Sequence, residues 1–157
     1  MARRRRTVRL GSFLVTAIVL AVSAAAYVLT QPPAPGGACR GTARCFTATV
    51  TNIVDGDTLD VGDDRIRLAL VNTPEVGESG YQAAKDFTAT MCPIGTQARV
   101  DEDDGQPGGS YGRIVGVVYC GGRNLNAELL ASGHAVILTD FCSVSEFAAE
   151  SWATACR

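Results

Sequence analysis

The chain has 157 residues, enough for one globular domain and an appendage, and 46% of them are apolar, so a genuine core can form. All sixteen acidic residues lie after residue 30, together with nine of the fourteen basic ones, so the globular part carries about −7. That balance excludes a high-affinity binder that slides along nucleic acid on lysine and arginine contacts to phosphate, but leaves room for a small basic cleft.

Residues 1–9 form a basic flank with Arg3, Arg4, Arg5, Arg6 and Arg9. Residues 10–30 are uncharged, and about 20 such residues can cross a bilayer. The arginines favour keeping the N-terminus in the cytoplasm, so a membrane anchor with the rest outside is expected. The alternative is a secretory signal cleaved near Ala24-Ala25-Ala26. Residues 31–44, opening Gln31-Pro32-Pro33, read as a linker, and 45–157 as the globular domain.

Cys45 to Val54 is rich in β-branched residues and predicts a strand; Asp55-Gly56 is a tight-turn signal. Thr58 to Val61 predicts the return strand, and Arg65 to Val71 a third, buried on both faces. From Tyr81 to Met91 the period changes: Ala83, Ala84, Phe87 and Met91 fall at helical spacing, with Ser79 as candidate cap. Gln97 to Asp101 predicts a short strand, 102–110 a polar loop, and Arg113 to Cys120 the fifth strand. Asn124 to Ser132 predicts a second helix ended by Gly133, and Ser145 to Ala155 a third with Phe147, Ala148 and Trp152 inward. Five short strands with a helix between the third and fourth suit a partly open Greek-key barrel, the OB-fold. The expected class is therefore α+β: a five-stranded barrel, three α-helices and a preceding hydrophobic helix.

Six cysteines, Cys39, Cys45, Cys92, Cys120, Cys142 and Cys156, follow the apolar run. An even count beyond an export signal reads as disulfides. A zinc site is the rival, but there is no C-x-x-C and His134 stands alone. Cys39–Cys45 and Cys142–Cys156 are the pairings favoured by closeness in sequence, which leaves Cys92–Cys120; other pairings stay open.

The chemistry sits on a few residues. Arg67 lies in an apolar strand, where a charge needs a partner. Glu75 follows Thr73-Pro74, and proline fixes the local backbone. Asp55-Gly56-Asp57 lies upstream and Tyr111-Gly112-Arg113 downstream. Phosphodiester hydrolysis needs a base to deprotonate water and fixed positive groups to meet charge building on phosphate oxygens. Arginine suits the second task, because its planar fork bonds two oxygens and keeps its proton. Each residue also has a plainer reading: a hairpin turn, a structural ion pair, a surface acid, a strand start.

Taken in order, Val54-Asp55-Gly56-Asp57-Thr58, Ile66-Arg67-Leu68 to Val71-Asn72-Thr73-Pro74-Glu75, Tyr111-Gly112-Arg113, and Asn126 to Leu129 with Gly133 resemble the thermonuclease, or staphylococcal nuclease-like, family. The resemblance runs from about Phe46 to about Trp152 and implies an OB-fold barrel cleaving DNA and RNA with Ca²⁺. It implies that Arg67 and Arg113 bind the phosphate and its transition state, and that Glu75 is the general base. Asp57, Asn72 and the Thr73 backbone carbonyl would hold calcium, Tyr111 would contact a nucleotide phosphate, and Phe141 would stack on a base. Asn72 departs from the family pattern, which has aspartate there, so calcium should bind more weakly; the acidic stretch 101–104 departs too. The barrel would also bring Cys92 towards Cys120, while Cys142 and Cys156 would bracket the third helix. The expected partners are a nucleic-acid substrate and, through the N-terminal segment, a membrane, with the chain a monomer. The alternative is a weak or inactive OB module that binds single strands or a protein.

Overall fold

The computed structural model describes residues 39–109 and 111–157. The expected hydrophobic helix and most of the linker lie outside them. Among the described residues no helix is long and apolar enough to cross a membrane.

Strand β1 (Cys45–Ile53) pairs antiparallel with β2 (Thr58–Val61), with an irregularity between Val50 and Asn52 that bends the strand. β2 pairs with β3 (Asp64–Leu68). On its other edge β1 pairs with β5 (Gln97–Glu102), which pairs with β6 (Ile114–Cys120). β3 then runs parallel to β6 through Ile66↔Ile114 and Arg67↔Val115, closing a five-stranded barrel. This is the OB architecture that the strand pattern predicts. A two-residue strand β7 (Arg123–Asn124) extends β6.

The third strand is shorter than the sequence suggests. It stops at Leu68 because Leu70 adopts φ 61°, a left-handed conformation that breaks a ladder. The chain resumes as β4 (Val71–Asn72), which pairs with β8 (Val136–Ile137) instead.

Helix α1 (Tyr81–Met91) matches its expected bounds, but its capping residue is Gly80 at φ 94°, not Ser79. That backbone conformation is open to glycine at little cost. Its inward stripe is Ala84 and Thr88, fully buried, with Phe87 and Met91 half-buried; Ala83 is exposed. Helix α2 (Leu125–Ala131) is capped by Asn124, whose Oδ1 accepts from the Ala127 N–H at 3.0 Å. Gly133 follows at φ 74°. Leu125 and Leu129 complete the barrel core with Val50, Leu59, Val61, Ile66, Leu68, Val100 and Val118.

The expected third α-helix is not present. Residues 145–155 instead form two 3₁₀ turns, Glu146–Ala149 and Thr154–Cys156. The ladder ends at Glu150, which is extended (φ −65°, ψ 150°) and whose carboxylate pairs with Arg40. Phe147 and Ala153 still point inward, into a second apolar cluster with Ala69, Leu70, Val115 and Val117. Burial holds this segment, where an isolated helix of ten residues would be marginal.

Three disulfides are present: Cys39–Cys45, Cys92–Cys120 and Cys142–Cys156. The middle one joins the end of α1 to the end of β6. The loop closed by the first grips the acidic stretch. Asp104 accepts from the N–H groups of Thr42 and Ala43, both at 2.7 Å, Glu102 from Arg44 N–H at 3.2 Å, and Asp101 from Arg40 N–H at 3.0 Å.

Candidate active site

The Asp55–Thr58 turn is fixed from three sides. Its own backbone closes it, with Asp55 N–H and Val54 N–H both donating to the Thr58 carbonyl at 3.1 and 3.0 Å. Thr88 Oγ1 on α1 donates to the Gly56 carbonyl at 2.6 Å, and Lys85 Nζ to the Val54 carbonyl at 2.9 Å. Gly56 packs so closely that a Cβ there would lie 2.7 Å from Thr73 Oγ1. Glycine is therefore required, and the turn is pressed against the Thr73 segment.

This placement aims Asp57 at its neighbours. Its Oδ2 accepts from Thr73 N–H at 2.7 Å and from Thr73 Oγ1 at 3.0 Å. Its Oδ1 pairs with Arg67 Nη1 at 2.6 Å and accepts from Thr58 Oγ1 at 3.2 Å. Burial pushes the Asp57 carboxyl up, against the opposing pull of the Arg67 charge and the Thr73 N–H. Arg67 Nη1 also donates to the Val71 carbonyl at 2.7 Å, and Nη2 to Asn72 Oδ1 at 3.0 Å. The guanidinium thus bridges Asp57 and Asn72, and the two residues that an arginine in an apolar strand calls for are identified.

Fully buried Asn126 ties the chain just past β3 to β6. Its Nδ2 donates to the carbonyls of Ala69 at 3.0 Å and Gly116 at 3.3 Å, and its Oδ1 accepts from Val118 N–H at 3.2 Å. β3 and β6 are therefore locked beside each other where Arg67 and Arg113 leave them.

Arg67 and Arg113 line one cavity of about 200 Å³ with Leu68, Leu70, Gln106, Val115, Leu138 and Phe141. Arg113 also lines a second cavity of about 420 Å³ with Tyr111, Gly112, Arg65, Thr51, Asp60, Gly62 and Asp63. Tyr111 is 99% exposed and held at φ 52°, an uncommon conformation for a residue other than glycine. A third cavity, about 240 Å³, is lined by Asn72, Thr73, Pro74, Glu78 and His134 among others.

Glu75 follows Pro74 and is not among the residues that line the arginine cavities. It is exposed at the start of a turn, where its N–H donates to Glu78 Oε2 at 2.7 Å and its carbonyl accepts from Glu78 N–H at 2.9 Å. Its carboxylate lines neither cavity that holds Arg113. Arg67, Asp57, Asn72 and Thr73 thus come together, Arg113 and Phe141 share a cavity with Arg67, Tyr111 shares the larger cavity with Arg113, and Glu75 lines neither.

Calcium is a hard cation that takes six to eight oxygens. Asp57 Oδ1 and Asn72 Oδ1 already share one cation, the Arg67 guanidinium, and Thr73 adjoins both. The side-chain acceptors here are oxygens that already face a cation, the ligand type calcium takes, although Arg67 and the Thr73 N–H now occupy them. The set offers one carboxylate, and among the described residues no three His, Cys, Asp or Glu side chains gather to hold a metal. With one carboxylate, the set fits a weak calcium site.

Sequence reasoning missed four residues here: Thr88 and Lys85, which brace the Asp55–Thr58 turn, and Gln106 and Arg65, which line the cavities. Arg65 alone left a signal, two residues from Arg67 on the same strand face.

A closed five-stranded barrel, with Arg67 on one strand and Arg113 just before the strand beside it, both lining a common cavity, defines an OB-fold protein with two arginines on one cavity. A family model described as "Staphylococcal nuclease homologue" matches residues 65–151, and the chain belongs to that family. The match begins after Asp57 and takes in Arg67, Asn72, Thr73, Glu75, Tyr111, Arg113 and Phe141. Micrococcal nuclease of Shigella flexneri is 32% identical over 136 residues, 76% of this chain and 69% of that protein. Succinoglycan biosynthesis protein ExoI of Rhizobium meliloti (strain 1021) is 28% identical over 93 residues, 54% of this chain but only 49% of ExoI.

Proposed function

We propose that the chain is a nuclease that hydrolyses phosphodiester bonds of DNA or RNA with calcium. The observation that carries this reading is the pair Arg67 and Arg113 on one cavity in a member of a nuclease family. The substrate phosphate lies between the two guanidinium groups, which bind its non-bridging oxygens and meet the charge that grows there. Phe141, in the same cavity, receives the adjoining base. Glu75 takes a proton from the attacking water, the new P–O bond forms as the opposite P–O bond breaks, and the leaving oxygen takes its proton from solvent. Calcium, when bound by Asp57, Asn72 and the Thr73 carbonyl, supplies further positive charge for the phosphate. Asp57 keeps Arg67 in place until substrate draws the guanidinium away.

The three disulfides and the basic-then-apolar N-terminus support a location outside the cytoplasm, tethered by residues 10–30. A second reading, an OB module that binds without cutting, is favoured by the exposed place of Glu75, by Asn72 and by the net charge.

A calcium titration of DNA and RNA cleavage by the full-length chain tests the proposal. Cleavage should appear with calcium and vanish in excess chelator. Asn72→Asp restores a second carboxylate and should lower the calcium needed for half-maximal rate by roughly tenfold, in the range of one added charge–charge contact. Undiminished cleavage in chelator rules out the metal site; no cleavage at any calcium concentration supports the binding module.

A further inference from the structure

Nine basic side chains serve the whole globular part, yet three of them, Arg65, Arg67 and Arg113, share one wall of the barrel. Arg65 and Arg67 are two apart on β3, so both leave the same face, about 6.7 Å apart along the strand. That separation is comparable with the step from one phosphate to the next on an extended polynucleotide. The parallel register Ile66↔Ile114 sets Arg65 beside Arg113, and both line the 420 Å³ cavity. Arg113 belongs to this cavity and to the one that holds Arg67, so the two adjoin at its guanidinium.

We propose that Arg65, with Thr51 beside it, is a second phosphate subsite, one nucleotide along from the phosphate between Arg67 and Arg113. It rests on the nuclease reading above and makes the substrate a polynucleotide strand held at two successive phosphates. Arg65 gives its Nε and Nη2 edge to Asp60, at 2.7 and 3.1 Å, and Asp60 is steadied by Asn52 Nδ2 at 3.2 Å. The carboxylate fixes the plane of the guanidinium, and the remaining N–H groups, Nη1 above all, serve the phosphate. The Arg65 side chain is 49% exposed, so the contact is wet and weaker than that of Arg67, which is 14% exposed. Asp60 and Asp63 on the same cavity oppose the phosphate, which further weakens the contact relative to that of Arg67.

Binding of trinucleotides, which have two internal phosphates, tests this with the full-length chain carrying Glu75→Gln, in calcium. Arg65→Gln should weaken binding about tenfold and reduce the slope of log affinity against log salt by roughly one. Arg65→Lys should restore the slope. Replacing the Arg65-side phosphate by an uncharged methylphosphonate should cost the Arg65 protein the same factor and the Arg65→Gln protein nothing more. Equal affinity and slope with and without Arg65, or a methylphosphonate without effect at either position, overturns the subsite. Arg67→Gln separates the two claims: if it abolishes binding while Arg65→Gln is silent, only the subsite falls. If neither substitution matters, the nuclease reading falls with it.

Discussion

Asp101 is 1% exposed, and its Oδ1 has no hydrogen-bond partner among the described residues, while Oδ2 accepts from Arg40 N–H. Burial pushes its carboxyl above the usual range, and Asp104 and Asp103 add to the rise against the opposing Arg40 bond. A carboxyl raised on folding binds its proton more tightly in the native state. The stability it contributes is fully present below its unfolded pKa of about 3.9 and is lost as pH rises through the folded value. Asp101→Asn removes this titration. The stability difference between variant and native should therefore move in favour of the variant from about pH 4 to about pH 7, read from urea midpoints at both pH values. A difference that stays constant, or moves the other way, contradicts the assignment. Single residues differ in how legible they are. Arg67 announced itself, because a charge in an apolar strand demands a partner, and Asp57 with Asn72 supplies one. Thr88 did not: a threonine on a helix face says nothing of the Gly56 carbonyl, which α1 meets only once packed.

At the scale of elements, the strands of the barrel and the first two helices followed from period and turn signals. What the sequence hid was set by tertiary contact. The break at Leu70 is a backbone conformation with no residue-type signature, since leucine rarely adopts φ 61°. The 3₁₀ turns at 146–156 have Ala148 and Trp152 at helical spacing, but Glu150 is extended and pairs with Arg40. This segment is held by Phe147 and Ala153 in the second apolar cluster and by Cys142–Cys156. A disulfide typically contributes about 2–4 kcal/mol. Cys142→Ser with Cys156→Ser should therefore abolish amide-exchange protection in 146–156 while the strands of the barrel stay protected. Loss of protection spread evenly over the chain, or none in 146–156, would show that the link does not govern this segment.

For the whole molecule, composition correctly described an acidic domain, and the structure reconciles it with an anionic substrate. The negative charge is spread over turns and the 101–104 stretch, where backbone N–H groups of the 39–45 loop hold it. The barrel meanwhile gathers three arginines on one wall. Which arginines share a cavity depends on β3 running beside β6, a pairing of segments about 50 residues apart that no local pattern reveals. The central claim is that the arginine wall and the exposed Glu75 act as one hydrolytic centre. The most direct measurement is the cleavage rate of Glu75→Gln against the native chain in saturating calcium. A general base typically contributes about 10²–10⁴-fold, so the rate should fall by at least about 10²-fold with Tm unchanged. A variant that cleaves at the native rate would contradict the account, leaving Glu75 a surface acid and the water without its base.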